Sequence, residues 1–330
     1  MEQRTLGSTG QAVSVVGLGT WQLGTDWGDV SESQGLDLLS ASVEEGVTFF
    51  DTADVYGDGR SEALVGRFLA EHPSAGVYVA TKMGRRAEQV PQSYTLRAFR
   101  EWTDRSRKNL GVDRLDLVQL HCPPTEVLTS AQTRDALETL VAEERIAAYA
   151  VSVETCDQAL ASIDALAPAS IQIILNAFRR KPLEQVLPRA AEAGVGVIAR
   201  VPLASGLLSG RYTKETTFAE TDHRTFNRHG AAFDVGETFA GVDFETGVDA
   251  AQEFSRLVDE LGPDGATPVQ VALRWVVQQG ATSVIPGARN VEQARANAAA
   301  AAIEPLSQEL LSALENLYDE RIRAQVHHRW

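Results

Sequence analysis

The sequence predicts an α/β protein, a (β/α)8 TIM barrel with an N-terminal hairpin, a long loop after the seventh strand and extra C-terminal helices. Three observations predict it. Short apolar runs rich in β-branched residues alternate with longer amphipathic segments along the whole chain. There are about eight such runs, the number that closes a barrel. Ionisable residues stand at the ends of successive runs, where a barrel gathers its active residues on one face.

The strand runs are 15–19, 47–51, 77–81, 115–120, 146–152, 170–175, 195–201 and 283–285. Helical periodicity fills 31–45, 61–71, 94–110, 130–143, 155–166, 183–193 and 291–302, with further helices at 247–260, 268–279 and 307–323. Two extended pieces flank a Gly/Ser/Thr turn within 4–13, the signal of a hairpin placed to cap the barrel bottom. The stretch 211–246 has no periodicity and reads as a functional loop. Its Phe218, Phe226, Phe233, Phe239 and Phe244 suit either a lid or anchors to the body. With no linker or repeat, residues 1–330 read as one domain.

Composition narrows the function. The 330 residues carry 30 Lys and Arg against 45 Asp and Glu, a net charge of −15. An acidic surface of this kind is unsuited to nucleic acid or anionic membranes. Two cysteines form no disulfide framework or zinc ribbon. No His-Glu-x-x-His or His-x-His occurs, so no metal is expected. With no signal-peptide pattern and no run of 18 apolar residues, the expectation is a soluble, cytoplasmic protein. The glycines of Gly17-Leu18-Gly19-Thr20-Trp21-Gln22-Leu23-Gly24 are wrongly spaced for a doubly wound dinucleotide fold, and no P-loop occurs.

The strand ends carry the chemistry. The second strand stops on Asp51 with Tyr56 five residues later, the third on Lys82, the fourth on His121. Any one of them alone suits a cap, a loop charge or packing; together on one barrel face they form a site. An ammonium beside a phenol lowers the phenol pKa, and Asp51 supplies the partner a buried Lys82 needs. His121 can orient a substrate oxygen. This set protonates an oxygen but has no electron donor, which a hydride-carrying cofactor completes.

The segments Asp51-Thr52-Ala53-Asp54-Val55-Tyr56-Gly57 with Ser61-Glu62, Thr81-Lys82, and Leu110-Gly111-Val112-Asp113-Arg114-Leu115-Asp116-Leu117-Val118-Gln119-Leu120-His121 resemble the signatures of the aldo-keto reductase superfamily. The likeness runs from Arg4 to Asn297. It implies a barrel that binds NAD(P)H without a Rossmann fold, and a small-molecule carbonyl as substrate. It also implies the catalytic tetrad Asp51, Tyr56, Lys82 and His121, with Tyr56 as proton donor. Ser152 and Gln172 match carboxamide-binding positions, with Val153 where the family often has Asn. Gly19, Thr20, Trp21 and Asp51 are assigned to the cofactor as well. Arg200 stands where the family often stacks an aromatic ring on the nicotinamide; its charge is expected to favour reduction over oxidation. Pro202, Leu203, Ser205, Gly206, Leu208 and Arg211 resemble the segment over the pyrophosphate. Gly287, Arg289, Gln293 and Asn297 resemble the adenosine site, with Arg289 on a 2′-phosphate, so that NADPH is preferred over NADH. Trp21, Trp27, Tyr56 and His121 are the expected substrate pocket. Two other readings stay open: a cofactor-binding regulatory subunit of slow turnover, like the family's potassium-channel subunits, and a Schiff-base enzyme using Lys82. The substrate, the oligomeric state and the course of the last residues, 327–330, are left undetermined.

Overall fold

The computed structural model describes residues 1–24 and 30–330. It opens on an antiparallel hairpin, β1 (Gln3–Thr5) and β2 (Ala12–Ser14). Eight parallel strands follow: β3 (Leu18–Gly19), β4 (Phe49–Asp51), β5 (Tyr78–Met83), β6 (Leu115–His121), β7 (Ile146–Ser152), β8 (Ser170–Ile174), β9 (Gly196–Arg200) and β10 (Ser283–Val284). Each pairs with its sequence neighbour. Parallel bridges Val16↔Val284 and Gly19↔Gly287 join the first strand to the last and close the barrel. The fold predicted from sequence is the fold observed.

Register explains how the site is assembled. Gly19 lies opposite Asp51, Lys82 opposite Gln119, His121 opposite Ser152, and Ser152 opposite Gln172. Residues widely separated in sequence are thereby brought to the C-terminal ends of adjacent strands. The opposite end is plugged. Leu6 and Val13 of the hairpin join Phe49, Ala80, Leu117, Ala150, Ile198 and Ile285 in one buried cluster. Gly7 makes the hairpin turn at φ +49°, and a Cβ there would stand 1.9 Å from the Ala169 carbonyl oxygen, so the cap fits only with glycine.

Local signals set the helix starts. Ser31, Thr155 and Thr267 each form a capping box with Gln34, Gln158 and Gln270. Several boundaries differ from the sequence reading. Strands β5 and β6 run on through Lys82 and His121. The helix expected at 247 begins at Phe244, because Asp243 accepts the Thr246 N–H and caps it. The last expected helix is three pieces, Gln308–Leu317, a π turn Tyr318–Ile322, and Arg323–Val326. The loop contains the short helix His223–Phe226 and two 3-10 turns, Val235–Glu237 and Phe239–Gly241. Among the described residues, no helix is long and apolar enough to cross a membrane.

Helix Arg60–Glu71 packs on helix Leu96–Leu110 at Gly66, where a Cβ would stand 2.5 Å from the Leu110 carbonyl oxygen. Alanine is otherwise the better helix former. Gly66→Ala is therefore expected to destabilise by about 1–3 kcal/mol despite its propensity gain, read as a lower urea midpoint.

Candidate active site

Asp51, Tyr56, Lys82 and His121 converge at the C-terminal mouth of the barrel. Lys82 is buried and its Nζ donates to Asp51 Oδ1, to the Thr52 carbonyl at 2.9 Å and to the Tyr56 hydroxyl at 3.2 Å. The other Asp51 oxygen, Oδ2, accepts from Gln119 Nε2 at 2.8 Å and Gln172 Nε2 at 2.7 Å. Gln172 Nε2 also donates to Gln119 Oε1 at 3.0 Å. The carboxylate, which has only acceptors, thus fixes the orientation of both amides. Both N–H bonds of Gln172 are committed, so its Oε1 is the group it offers a ligand. Gln119 is a site residue the sequence reading did not single out; its place two residues before His121 on the same strand was the available signal.

Electrostatics set the protonation states. Burial raises the Tyr56 pKa, and the downward pull of Lys82 does not cancel it. This corrects the expectation of a lowered phenol pKa: desolvation wins. Tyr56 is a neutral phenol at pH 7. Lys82 is penalised by burial, but Asp51 and Tyr56 more than offset that, and its pKa is raised. His121 is held well below its ordinary value by burial, then by Lys82, Arg85 and Arg200. It is a neutral imidazole whose Nδ1 is buried without a partner, its ring edge-on to Tyr56 at 6.2 Å.

A cleft of about 1040 Å³ opens above these residues. Of the residues expected to hold a cofactor, Gly19, Thr20, Trp21, Asp51, Gln172, Arg200, Pro202, Leu203, Ser205, Gly206, Arg211, Gly287, Arg289, Gln293 and Asn297 line it. Ser152 and Leu208 do not. Ser152 is buried and its Oγ lies 3.5 Å from Cys122 Sγ, while Leu208 is packed in the core. Trp21, Tyr56 and His121 line the same cleft; Trp27 lies outside the described residues.

Arg200 lines the cleft with the edge of its guanidinium already engaged. Its Nη1 pairs with Glu237 at 2.5 Å and its Nη2 donates to the Val153 carbonyl at 3.1 Å. Glu237 comes from the loop and pairs with the guanidinium, which stays charged. Glu237 lies in the aperiodic stretch, and nothing in the sequence marks it among the 45 acidic residues of the chain. His223 and Arg224 of the same loop also line the cleft and went unnoticed. The phenylalanines divide. Phe239 and Phe244 are buried anchors, 5.0 Å apart, whereas Phe218 and Phe233 line the cleft and Phe226 is exposed against Phe233. Cys122, Glu154 and Glu237 stand close enough to hold a metal ion, but Arg200 already faces Cys122 and Glu237 as their cation.

Comparison with known proteins decides the family. The aldo/keto reductase family model matches residues 15–319. The chain belongs to the aldo/keto reductase family. This aldo-keto reductase is therefore an oxidoreductase. It is 30% identical over 302 residues to aldo-keto reductase YhdN of Bacillus subtilis, covering 90% of this chain and 87% of that one. Among solved structures, the Gluconobacter oxydans glycerol dehydrogenase superposes with TM-score 0.77 at 29% identity, covering 94% of this chain and 93% of that one. A Klebsiella pneumoniae aldo-keto reductase, solved with NADPH, gives 0.71 at 26%, covering 96% of each.

One buried group of this reductase lies beside the tetrad without belonging to it. Asp54 is buried with neither carboxyl oxygen partnered. Burial, then the neighbouring Glu62, raises its pKa to about 7. A carboxyl raised on folding is protonated in the native protein and ionised in the unfolded chain between its two pKa values. Its contribution is full below the unfolded value and is lost as pH rises through the folded one. Asp54→Asn is expected to gain on the wild type by a few kcal/mol as pH rises from about 4 to 7, read as a growing Tm difference.

Proposed function

We propose that this chain reduces an aldehyde or ketone to the alcohol with NADPH, Tyr56 acting as the general acid. The observation that carries this is the Tyr56 hydroxyl, neutral and 3.2 Å from a charged Lys82 that is itself held by Asp51. When bound, the reduced nicotinamide supplies the hydride.

The chain's own residues do the rest. Tyr56 gives its proton to the carbonyl oxygen as negative charge develops there. Lys82 stays charged throughout and stabilises the phenolate left behind. Asp51 holds Lys82 in place, and the two glutamines hold Asp51. Neutral His121 has one N–H to donate to the same oxygen, orienting the carbonyl toward Tyr56. General-acid catalysis of this kind contributes about 10²–10⁴-fold. Lys82 is a poor Schiff-base nucleophile here, because a fully bonded ammonium has no free lone pair.

The cleft suits a dinucleotide. Gln172 Oε1 matches an amide N–H of a nicotinamide carboxamide, with Arg200 at the end of the neighbouring strand β9 and Gly19, Thr20 and Trp21 at the end of β3. Pro202, Leu203, Ser205, Gly206 and Arg211 suit the pyrophosphate. Gly287, Arg289, Gln293 and Asn297 suit the adenosine end at the start of helix Val291–Ala299, where backbone N–H groups and Arg289 favour a phosphate. Arg289 supports NADPH over NADH.

Tyr56→Phe is expected to lower kcat by about 10²-fold or more while NADPH still quenches intrinsic fluorescence with nearly unchanged Kd; loss of both would make Tyr56 a structural residue instead. Arg289→Ala is expected to weaken NADPH binding about tenfold or more, a loss appropriate to one charge-assisted phosphate contact, and to leave NADH nearly unaffected. An unchanged ratio of the two Kd values would refute the 2′-phosphate assignment.

A further inference from the structure

Arg200 is the deepest cation of the cleft after Lys82, and its counter-ion is borrowed. Glu237 belongs to a loop segment, residues 234–241, that has no strand or long helix to hold it. What holds it is distant in sequence: the Ser205 hydroxyl donates to the Glu237 carbonyl and accepts the Phe239 N–H, both at 3.1 Å, and Trp330 packs beneath. The Trp330 ring, itself buried, lies against Gly236 and Gly241, where a Cβ would stand 2.9 and 2.2 Å from it. Its indole N–H donates to Asp234 at 3.1 Å. The Arg179 guanidinium covers the ring at 3.9 Å and donates to the Glu154 carbonyl at 2.6 Å. Of the residues at 327–330, left undetermined in the sequence, Trp330 thus packs onto the loop, while His327 bonds Tyr318 and Glu184 and the two between are exposed.

The other charges around Arg200 do not replace Glu237. Glu154 also faces Arg200 but is shared with Arg85 at 3.5 Å, and Cys122 is a thiol whose pKa burial raises. Without Glu237, Arg200 would present a guanidinium with no ion-pair partner in contact to the cleft beside His121. A guanidinium so placed recognises carboxylates.

Building on the carbonyl-reductase reading, we infer that Glu237 is a specificity-determining residue that masks Arg200 against anionic substrates, and that Trp330 is the positioning residue that holds it there. The cleft as folded favours neutral carbonyl compounds; release of the loop segment turns it toward carboxylate-bearing ones. A rim charge acts on every anion through long-range attraction, but this one acts only on a carboxylate that reaches Arg200.

The test compares 4-carboxybenzaldehyde with benzaldehyde in the full chain with NADPH. The ratio of their kcat/KM values is expected to rise about tenfold in Glu237→Gln, the effect of unmasking one buried charge. Trp330→Ala is expected to raise it in the same direction. The double variant is expected to match Glu237→Gln alone, because both act through one contact. Trp330→Phe, which keeps the ring and loses the indole N–H, is expected to fall between. A merely structural Trp330 would lower both aldehydes together and leave the ratio still. Benzoate binding, followed by tryptophan fluorescence, reads the same masking without turnover, and its Kd is expected to fall about tenfold in Glu237→Gln. An unchanged ratio and an unchanged benzoate Kd in Glu237→Gln overturn the proposal. A ratio raised by Glu237→Gln but untouched by Trp330→Ala removes Trp330 from it. Tighter benzoate binding with no turnover of either aldehyde would uphold the masking and refute the reductase reading.

Discussion

The ion pair between Lys82 and Asp51 is the contact on which the active end of this barrel depends. Both side chains are withdrawn from water. A buried pair of this kind is stable only if its remaining lone pairs and protons are satisfied, and losing one partner typically costs about 3–5 kcal/mol. The fold meets that demand from two further strands and the turn that follows β4. Gln119 and Gln172 donate to the far oxygen of Asp51, and the Thr52 carbonyl and Tyr56 hydroxyl take the other protons of Lys82. Strand register supplies these groups, so the shape of the barrel and the charge state of its centre are one constraint. The placement of the Tyr56 hydroxyl beside a charged lysine and the orientation of Gln172 both follow from it.

Much of this was legible in the sequence because it is local or periodic. The alternation of apolar runs and amphipathic segments follows the repeat of a barrel, and capping residues such as Ser31 and Thr267 mark helix starts within a few positions. Asp51, Lys82 and His121 were found because they end strands, and strand ends of a barrel meet. What stayed hidden depends on contacts between distant, aperiodic segments. Glu237 looks like any other loop acid until Arg200 is seen beside it. Trp330 has no pattern around it, and its role appears only against Gly236, Gly241 and Arg179. Gln119 was readable as a buried position but not as a donor, since an amide's partners are set across strands. The phenol pKa was misjudged for a related reason: Lys82 was visible in the sequence, and the depth of burial was not.

The molecule separates its charges by depth. A chain with net charge −15 keeps cations at the cleft and gives most of its acids to the surface. Asp51, Asp54, Glu62 and Glu237 are the instructive exceptions. Asp51 and Glu237 lie against cations, and Glu62 accepts from Thr81 and Asn109. Asp54 has neither kind of support, and its raised pKa is the result. Three ways of managing a carboxyl withdrawn from water thus coexist in one barrel.

The barrel's seam gives that site a place in the folding reaction. Strands β3 and β10 are joined by two bridges, and one of them pairs Gly19 with Gly287, two residues that also line the cleft. Their sequence separation makes this a contact of very high contact order, slow to form because a long loop must close first. A ring with its seam open has the tetrad's strands but lacks one wall of the cleft. Any ligand gripped across Gly19 and Gly287 therefore selects the sealed ring over the open one and stabilises it by mass action. Sealing and ligand capture become one cooperative event, and the two glycines serve as its clasp.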